Sequence, residues 1–156
     1  MHVELRQAMP SDMDLVYEVT EAAMREYVEQ AFGPWVEAFQ RKVIGESFSP
    51  ATHQVIMADG QTAGILCIVS HDTHMQLEKL FLLPAFQRHG LGTRILHDVA
   101  EAAARRGKSL RLRVLAVNTG AQRFYERFGF TVSGTTPERL FMEYVPASSS
   151  RGRKEA

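Results

Sequence analysis

The stretch Leu80-Phe81-Leu82-Leu83-Pro84-Ala85-Phe86-Gln87-Arg88-His89-Gly90-Leu91-Gly92-Thr93 holds most of the residues whose types and spacing could do chemistry. An apolar run stops at a proline, and a loop with two glycines opens the next element. If that element is a helix, its first N–H groups lack intrahelical partners and stand at the positive end of the macrodipole, a setting that suits an anion. Gly90 and Gly92 have no Cβ and let phosphate oxygens approach the backbone, while Gln87, Arg88 and Thr93 add side-chain donors. A diphosphate fits this set, although glycines between a strand and a helix also make a good turn with no ligand. Two familiar phosphate loops are excluded. A P-loop needs Gly-Lys-Ser or Gly-Lys-Thr where the helix begins, and here Gly92 is followed by Thr93-Arg94-Ile95. A dinucleotide fingerprint needs a third glycine and an acidic end to the next strand, and that run ends in Ala116-Val117-Asn118.

The elements that must position this loop follow from periodicity. His2 to Ala8 alternates polar and apolar as a half-buried strand does, and Pro10-Ser11-Asp12 supplies turn and cap chemistry. Apolar residues then recur at helical spacing from Met13 to about Gln30, Gly33-Pro34 breaks the run, and a second helix covers Trp35 to Ile44. Strands are predicted at Gln54 to Ala58 and Ala63 to Val69, joined in a hairpin through Asp59-Gly60, a dipeptide that tolerates positive φ. The Met75 to Leu83 strand leads into the glycine loop, and an amphipathic helix runs from Gly92 to Arg106. Leu110 to Val117 reads as a strand, Asn118-Thr119 can cap a helix running to Phe128, and Gly129 ends it. This strand-helix-strand order predicts parallel pairing of the Met75 and Leu110 strands. Phe130 to Ser133 and Arg139 to Val145 finish the domain, the latter offering an exposed edge that could pair between subunits. Residues 147–156 are Ser- and charge-rich and are expected to be a disordered tail.

Composition narrows the function classes. With 156 residues, 45% of them hydrophobic, the chain is expected to form a single domain over residues 1–146. Lys plus Arg and Asp plus Glu number 18 each, so no overall electrostatic footprint favours nucleic acid or an anionic membrane. The one cysteine, Cys67, lies in an apolar run and reads as a core thiol, which leaves no disulfide framework. His71 and His74 flank Asp72 in a turn without a third soft ligand, so no metal is expected. No apolar stretch approaches the roughly 18 residues of a membrane span, and no targeting segment is recognised, so a cytoplasmic location is expected.

A second constellation, Asn118-Thr119-Gly120-Ala121-Gln122-Arg123-Phe124-Tyr125-Glu126-Arg127-Phe128-Gly129-Phe130, lies downstream. Together with the earlier loop it resembles the GNAT superfamily of acyl-CoA-dependent N-acyltransferases. Gln87-Arg88-His89-Gly90-Leu91-Gly92 corresponds to the family's pyrophosphate loop, with Gln87 in place of the commoner Arg. Asn118, Ala121, Phe124-Tyr125 and Gly129-Phe130 correspond to the helix that borders the pantetheine arm. The resemblance covers about Val3 to Val145 and is weakest over residues 20–50. It implies an α/β fold of the mixed α+β kind, with about four helices and a mixed sheet of about six to seven strands. That sheet would splay between the strands at 75–83 and 110–117, with acetyl-CoA in the gap and CoA as product. The implied cofactor contacts are Phe81, Leu82, Leu83, the loop from Gln87 through Leu91 to Thr93, Asn118, Ala121, Phe124 and Tyr125.

Moving an acyl group from a thioester to an amine needs a neutral nucleophile, stabilisation of the oxyanion and a proton for the departing thiolate. By the resemblance Glu78 takes the place of the general base, although a glutamate on a sheet face is as often merely solvated. Tyr125 takes the place of the general acid. A phenol with pKa near 10 can protonate a thiolate whose conjugate acid lies near 8.5, although by residue type alone Tyr125 reads as a packed aromatic. A backbone N–H near Leu82 would stabilise the oxyanion. The first two helices usually wall the acceptor site in this family, which puts Tyr27, Phe32 and Trp35 against an amine, small molecule or peptide. The rival reading is a non-catalytic acyl-CoA-binding sensor or regulatory module. Monomer and homodimer both stay open.

Overall fold

The computed structural model describes residues 1–147. The expected disordered tail at 147–156 therefore lies almost entirely outside the described residues. Among them the chain forms strands β1 (Val3–Gln7), β2 (His53–Ala58), β3 (Gln61–Ser70), β4 (His74–Leu82), β5 (Ser109–Leu115), β6 (Thr131–Thr135) and β7 (Arg139–Tyr144). Four helices accompany them, α1 (Met13–Phe32), α2 (Glu37–Ser47), α3 (Leu91–Arg105) and α4 (Thr119–Phe128). Two short 3-10 turns, Pro10–Asp12 and Pro84–Phe86, precede α1 and the glycine loop. The strands form a seven-stranded mixed sheet in the order β1-β2-β3-β4-β5-β7-β6.

Two compact units share β3 and β4. The first holds residues 1–68 and 79–89, the second 69–78 and 90 onward. In the first unit β1, β2 and β3 are antiparallel, and the hairpin falls at Asp59-Gly60, where φ is +50° and +80°. Asp12 lies at the entry to α1, buried, and its carboxylate takes both Arg6 guanidinium nitrogens at 2.8 and 3.0 Å and the Met9 N–H at 2.7 Å. The Arg6 hydrogen bonds hold the Asp12 pKa below the usual carboxylate range. Val16, Tyr17, Val19, Trp35, Ile44 and Ile65 make the core of this unit. Burying side chains of this size is worth about 1.5–3 kcal/mol each before conformational costs.

In the second unit β4 and β5 pair in parallel, as the strand-helix-strand order requires. One face of α3 buries Leu91, Ile95, Leu96, Val99, Ala100 and Ala103, the i, i+4, i+8 spacing of an amphipathic helix. β5 buries Leu110, Leu112 and Val114 in alternation with exposed Arg111 and Arg113. The expectation of a free edge along Arg139 to Val145 is corrected. β7 pairs with β5 on one side and β6 on the other, and β6 ends the order. The short hop from β6 to β7 is a hairpin, but β7 folds inward because its Met142 belongs to the buried set and Val132 of β6 stays exposed.

Candidate active site

In the second unit β4 and β5 stop pairing early. Their ladder runs only from His74↔Ser109 to Gln76↔Arg111, although β4 continues to Leu82 and β5 to Leu115. The expected parallel pairing is thus confined to the first three residues of each strand. Just past the last pair, Glu78 is exposed on β4, and Arg113 Nη2 donates to its Oε1 at 3.5 Å. The alternation Leu110-Arg111-Leu112-Arg113 signals which residues of β5 share a face, but the partner of Arg113 depends on the parallel register. Exposed pairs of this kind add little stability, so Glu78 is not locked in place.

α3 begins with Gly90 as its N-cap at φ +76°, and no side chain caps it. Its first turn carries no acidic residue. The first intrahelical bond is Arg94 N–H to Gly90 C=O at 3.1 Å, so the amides of Leu91, Gly92 and Thr93 lie ahead of the ladder. Such a helix start matches an anion in charge and in donors. α4 begins with Asn118, which is buried and whose Oδ1 accepts the Ala121 N–H at 3.1 Å. Asn118 is thus an N-cap, as its residue type suggests. No residue of α4 is fully buried. Phe124 and Tyr125 are half-buried, with ring centroids 5.1 Å apart, and Tyr125 lies 5.4 Å edge-to-face from Phe130. Desolvation pushes the Tyr125 phenol above its ordinary pKa. Its hydroxyl has no hydrogen-bond partner among the described residues, and it is largely desolvated without being fully enclosed.

In the first unit the end of β4 leads through the Pro84–Phe86 turn to Gln87, Arg88 and His89, all exposed. Phe81, Leu82 and Leu83 are half-buried there, and the Leu83 N–H donates to the Ala63 carbonyl at 2.8 Å. Gly64 was not singled out by its sequence position. A Cβ on it would stand 2.0 Å from the Phe81 carbonyl oxygen, so only glycine admits β4 this close. A glycine inside a strand pattern is the signal for such an approach. Arg88 adopts φ +65°, uncommon for a residue with a Cβ.

The three aromatic residues expected at an acceptor wall are placed differently from one another. Tyr27 is half-buried on α1, and Phe32, at its end, is 53% exposed. Trp35 is enclosed in the core, where its Nε1 donates to the Tyr17 hydroxyl at 2.9 Å. Sequence reasoning also passed over His53, which is 1% exposed on β2. Its Nε2 lies 3.1 Å from Lys79 Nζ and its Nδ1 2.9 Å from the Ser49 carbonyl. Those partners fix Nδ1 as the protonated nitrogen, and burial, followed by the Lys79 charge, lowers its pKa.

Residues 16–130 match the sequence profile of the acetyltransferase (GNAT) family. An uncharacterized N-acetyltransferase of Mycobacterium tuberculosis is 38% identical over 85 residues, which are 53% of this chain and 54% of that protein. The chain thus spans about half the length of the curated mycobacterial relatives it matches. The thialysine N-epsilon-acetyltransferase of Mus musculus is 29% identical over 140 residues, covering 80% of this chain and 82% of that protein. Among solved structures, the PaiA N-acetyltransferase of Thermoplasma acidophilum in complex with coenzyme A shares the fold at TM-score 0.75 and 20% identity, with 93% of this chain and 99% of that one covered.

Proposed function

This chain belongs to the acetyltransferase (GNAT) family, and on that premise we propose that it transfers an acetyl group from acetyl-CoA to a primary amine, residues 1–146 acting as one N-acyltransferase domain. The observation that carries the reading is the start of α3, where uncapped amides follow a left-handed glycine and no carboxylate stands in the first turn. A diphosphate supplies the charge and the acceptors that such a helix start lacks. When bound, acetyl-CoA brings the thioester.

The chain's own residues then have separate tasks. Backbone amides from Arg88 to Thr93 take the diphosphate, and the backbone N–H of Leu82, between Phe81 and Leu83, meets the pantetheine arm. Asn118 and Ala121 open α4, and Phe124 flanks the arm beside Tyr125. Glu78 accepts the proton of the amine, directly or through water, before the amine attacks, because an alkylammonium with a pKa near 10.4 is not a nucleophile. Tyr125 donates its proton to the thiolate that leaves, so the amine is acylated by direct attack in a ternary complex. Burial keeps the Tyr125 phenol protonated through the neutral range, as a donor must be, but it also makes the phenol a weaker acid, so the role is supported by its place on α4 beside Phe124 and not by the shift. Tyr27 and Phe32 offer aromatic surface to the acceptor, and Trp35 lies in the core of the same unit.

Titrating acetyl-CoA, CoA and ATP separately while following the melting temperature tests the donor. A ligand at one hundred times its dissociation constant adds about 2.7 kcal/mol of stability. Both CoA species are expected to raise the melting temperature and ATP is not. The absence of a shift with either CoA species at millimolar concentration would sink the reading. Release of free thiol across an amine library then identifies the acceptor.

A further inference from the structure

The end of β4 is held through consecutive backbone groups. The Phe81 carbonyl closes on Gly64, and the Leu83 N–H bonds the Ala63 carbonyl at 2.8 Å, both on β3. Between them, the Leu82 carbonyl accepts a hydrogen bond at 2.9 Å from the side-chain Nε2 of Gln87. This third contact comes from downstream, across the Pro84–Phe86 turn, and the Gln87 backbone N–H is tied to Pro84 O at 3.2 Å. Gln87 is therefore held at main chain and side chain alike, and its amide faces back along the chain. Arg88 follows at once, with φ +65°, exposed and with no partner among the described residues. From Lys79 to His97 the chain carries no Asp or Glu that could claim it locally. The two neighbouring side chains have thus separated, one turned to the backbone and one left to solvent.

We propose that Gln87 is a positioning residue whose amide clamps the Leu82 carbonyl and fixes how the loop leaves β4, while the side chain that meets a cofactor phosphate is that of Arg88. The inference rests on the acetyl-CoA reading. A neutral amide suits the clamp. It donates to a carbonyl without bringing a charge of its own, and holding one rotamer of an exposed side chain costs less than misdirecting a run of amides that must converge on one diphosphate.

Gln87→Met keeps the length of the side chain, adds no charge and removes the donor. In the ligand-free protein this variant is expected to move the backbone amide resonances of Arg88 and His89 while those of α2 stay in place. With substrates it is expected to raise KM for acetyl-CoA about tenfold, the scale of one lost hydrogen bond, with kcat falling no more than about twofold. Gln87→Arg, which retains N–H donors, is expected to restore both readouts. Arg88→Ala is expected to weaken CoA binding about tenfold without moving the Leu82 or Gln87 resonances. If Gln87→Met leaves the ligand-free resonances unmoved yet still weakens CoA, Gln87 is a direct ligand and the clamp is wrong. If neither changes, Gln87 has no part. Should wild-type protein fail to bind CoA at all, the donor reading falls, whereas the ligand-free resonances still report on the clamp.

Discussion

Beneath α1 the aromatic pair Tyr17 and Trp35 closes on itself, whereas the aromatic side chains along α4 stay half open. Tyr17 is 1% exposed, its hydroxyl is occupied by the Trp35 indole N–H, and the Arg41 guanidinium lies 4.0 Å above its ring. Tyr125 also packs against a ring, that of Phe130, but its hydroxyl has no hydrogen-bond partner among the described residues. The chemistry of the two phenols is the same. What differs is whether the hydroxyl has been spent on the fold. A spent hydroxyl contributes stability and can do nothing else, and an unspent one leaves a proton donor available to a ligand. The same contrast separates the two helices. α1 buries Val16, Tyr17, Val19 and Thr20, while α4 buries no residue completely.

The contrast can be broken at three points. Trp35→Ala should have the largest effect. Removing a core indole is expected to cost about 3–5 kcal/mol, which lowers the melting temperature by about 10 °C in a chain of this size. A loss under about 1 kcal/mol in thermal or denaturant melts would mean that the enclosed cluster is not a supporting core. Next comes Tyr125→Phe, which keeps the ring and deletes the hydroxyl. Turnover at saturating acetyl-CoA is expected to fall at least about tenfold with CoA binding and melting temperature retained. The raised pKa also sets a sign. Tyr125 stays protonated through the neutral range, and any stability linked to its neutral form is lost only as pH rises beyond the ordinary phenol value of about 10. A basic limb in the kcat profile below that pH, abolished by Tyr125→Phe, would contradict this assignment. Smallest is Tyr17→Phe, which leaves the Trp35 N–H without its acceptor. It is expected to cost about 1 kcal/mol of stability and to leave kcat within about twofold. Equal kcat losses in the two Tyr→Phe variants would erase the distinction between the helices.

Much of this architecture is legible along the chain because its signals are short. Asp59-Gly60 specifies a hairpin through its own φ preferences, and Asn118 caps α4 through a contact three residues away. Gly90 marks the start of α3 by residue type, and the alternation along β5 separates its buried leucines from Arg111 and Arg113. Other features have no local signature. The bond from the Gln87 amide to the Leu82 carbonyl joins a loop residue to a strand end across a turn, which residue type does not announce. Trp35 reads as one of three surface aromatics until Tyr17 closes over it. Gly64 reads as an ordinary strand residue until the Phe81 carbonyl arrives beside it.

By itself the sequence determined which segments are strands and helices and where they stop. These properties depend on backbone preferences and on hydrogen bonds between near neighbours, and a few consecutive residues encode them. Tertiary structure alone decided that β7 enters between β5 and β6, that β4 and β5 stop pairing after Gln76 and Arg111, and that the Tyr17 hydroxyl is taken by Trp35. Each of these is a choice among partners distant in the chain, made by which pairing buries the most apolar surface while leaving no buried polar group unmatched.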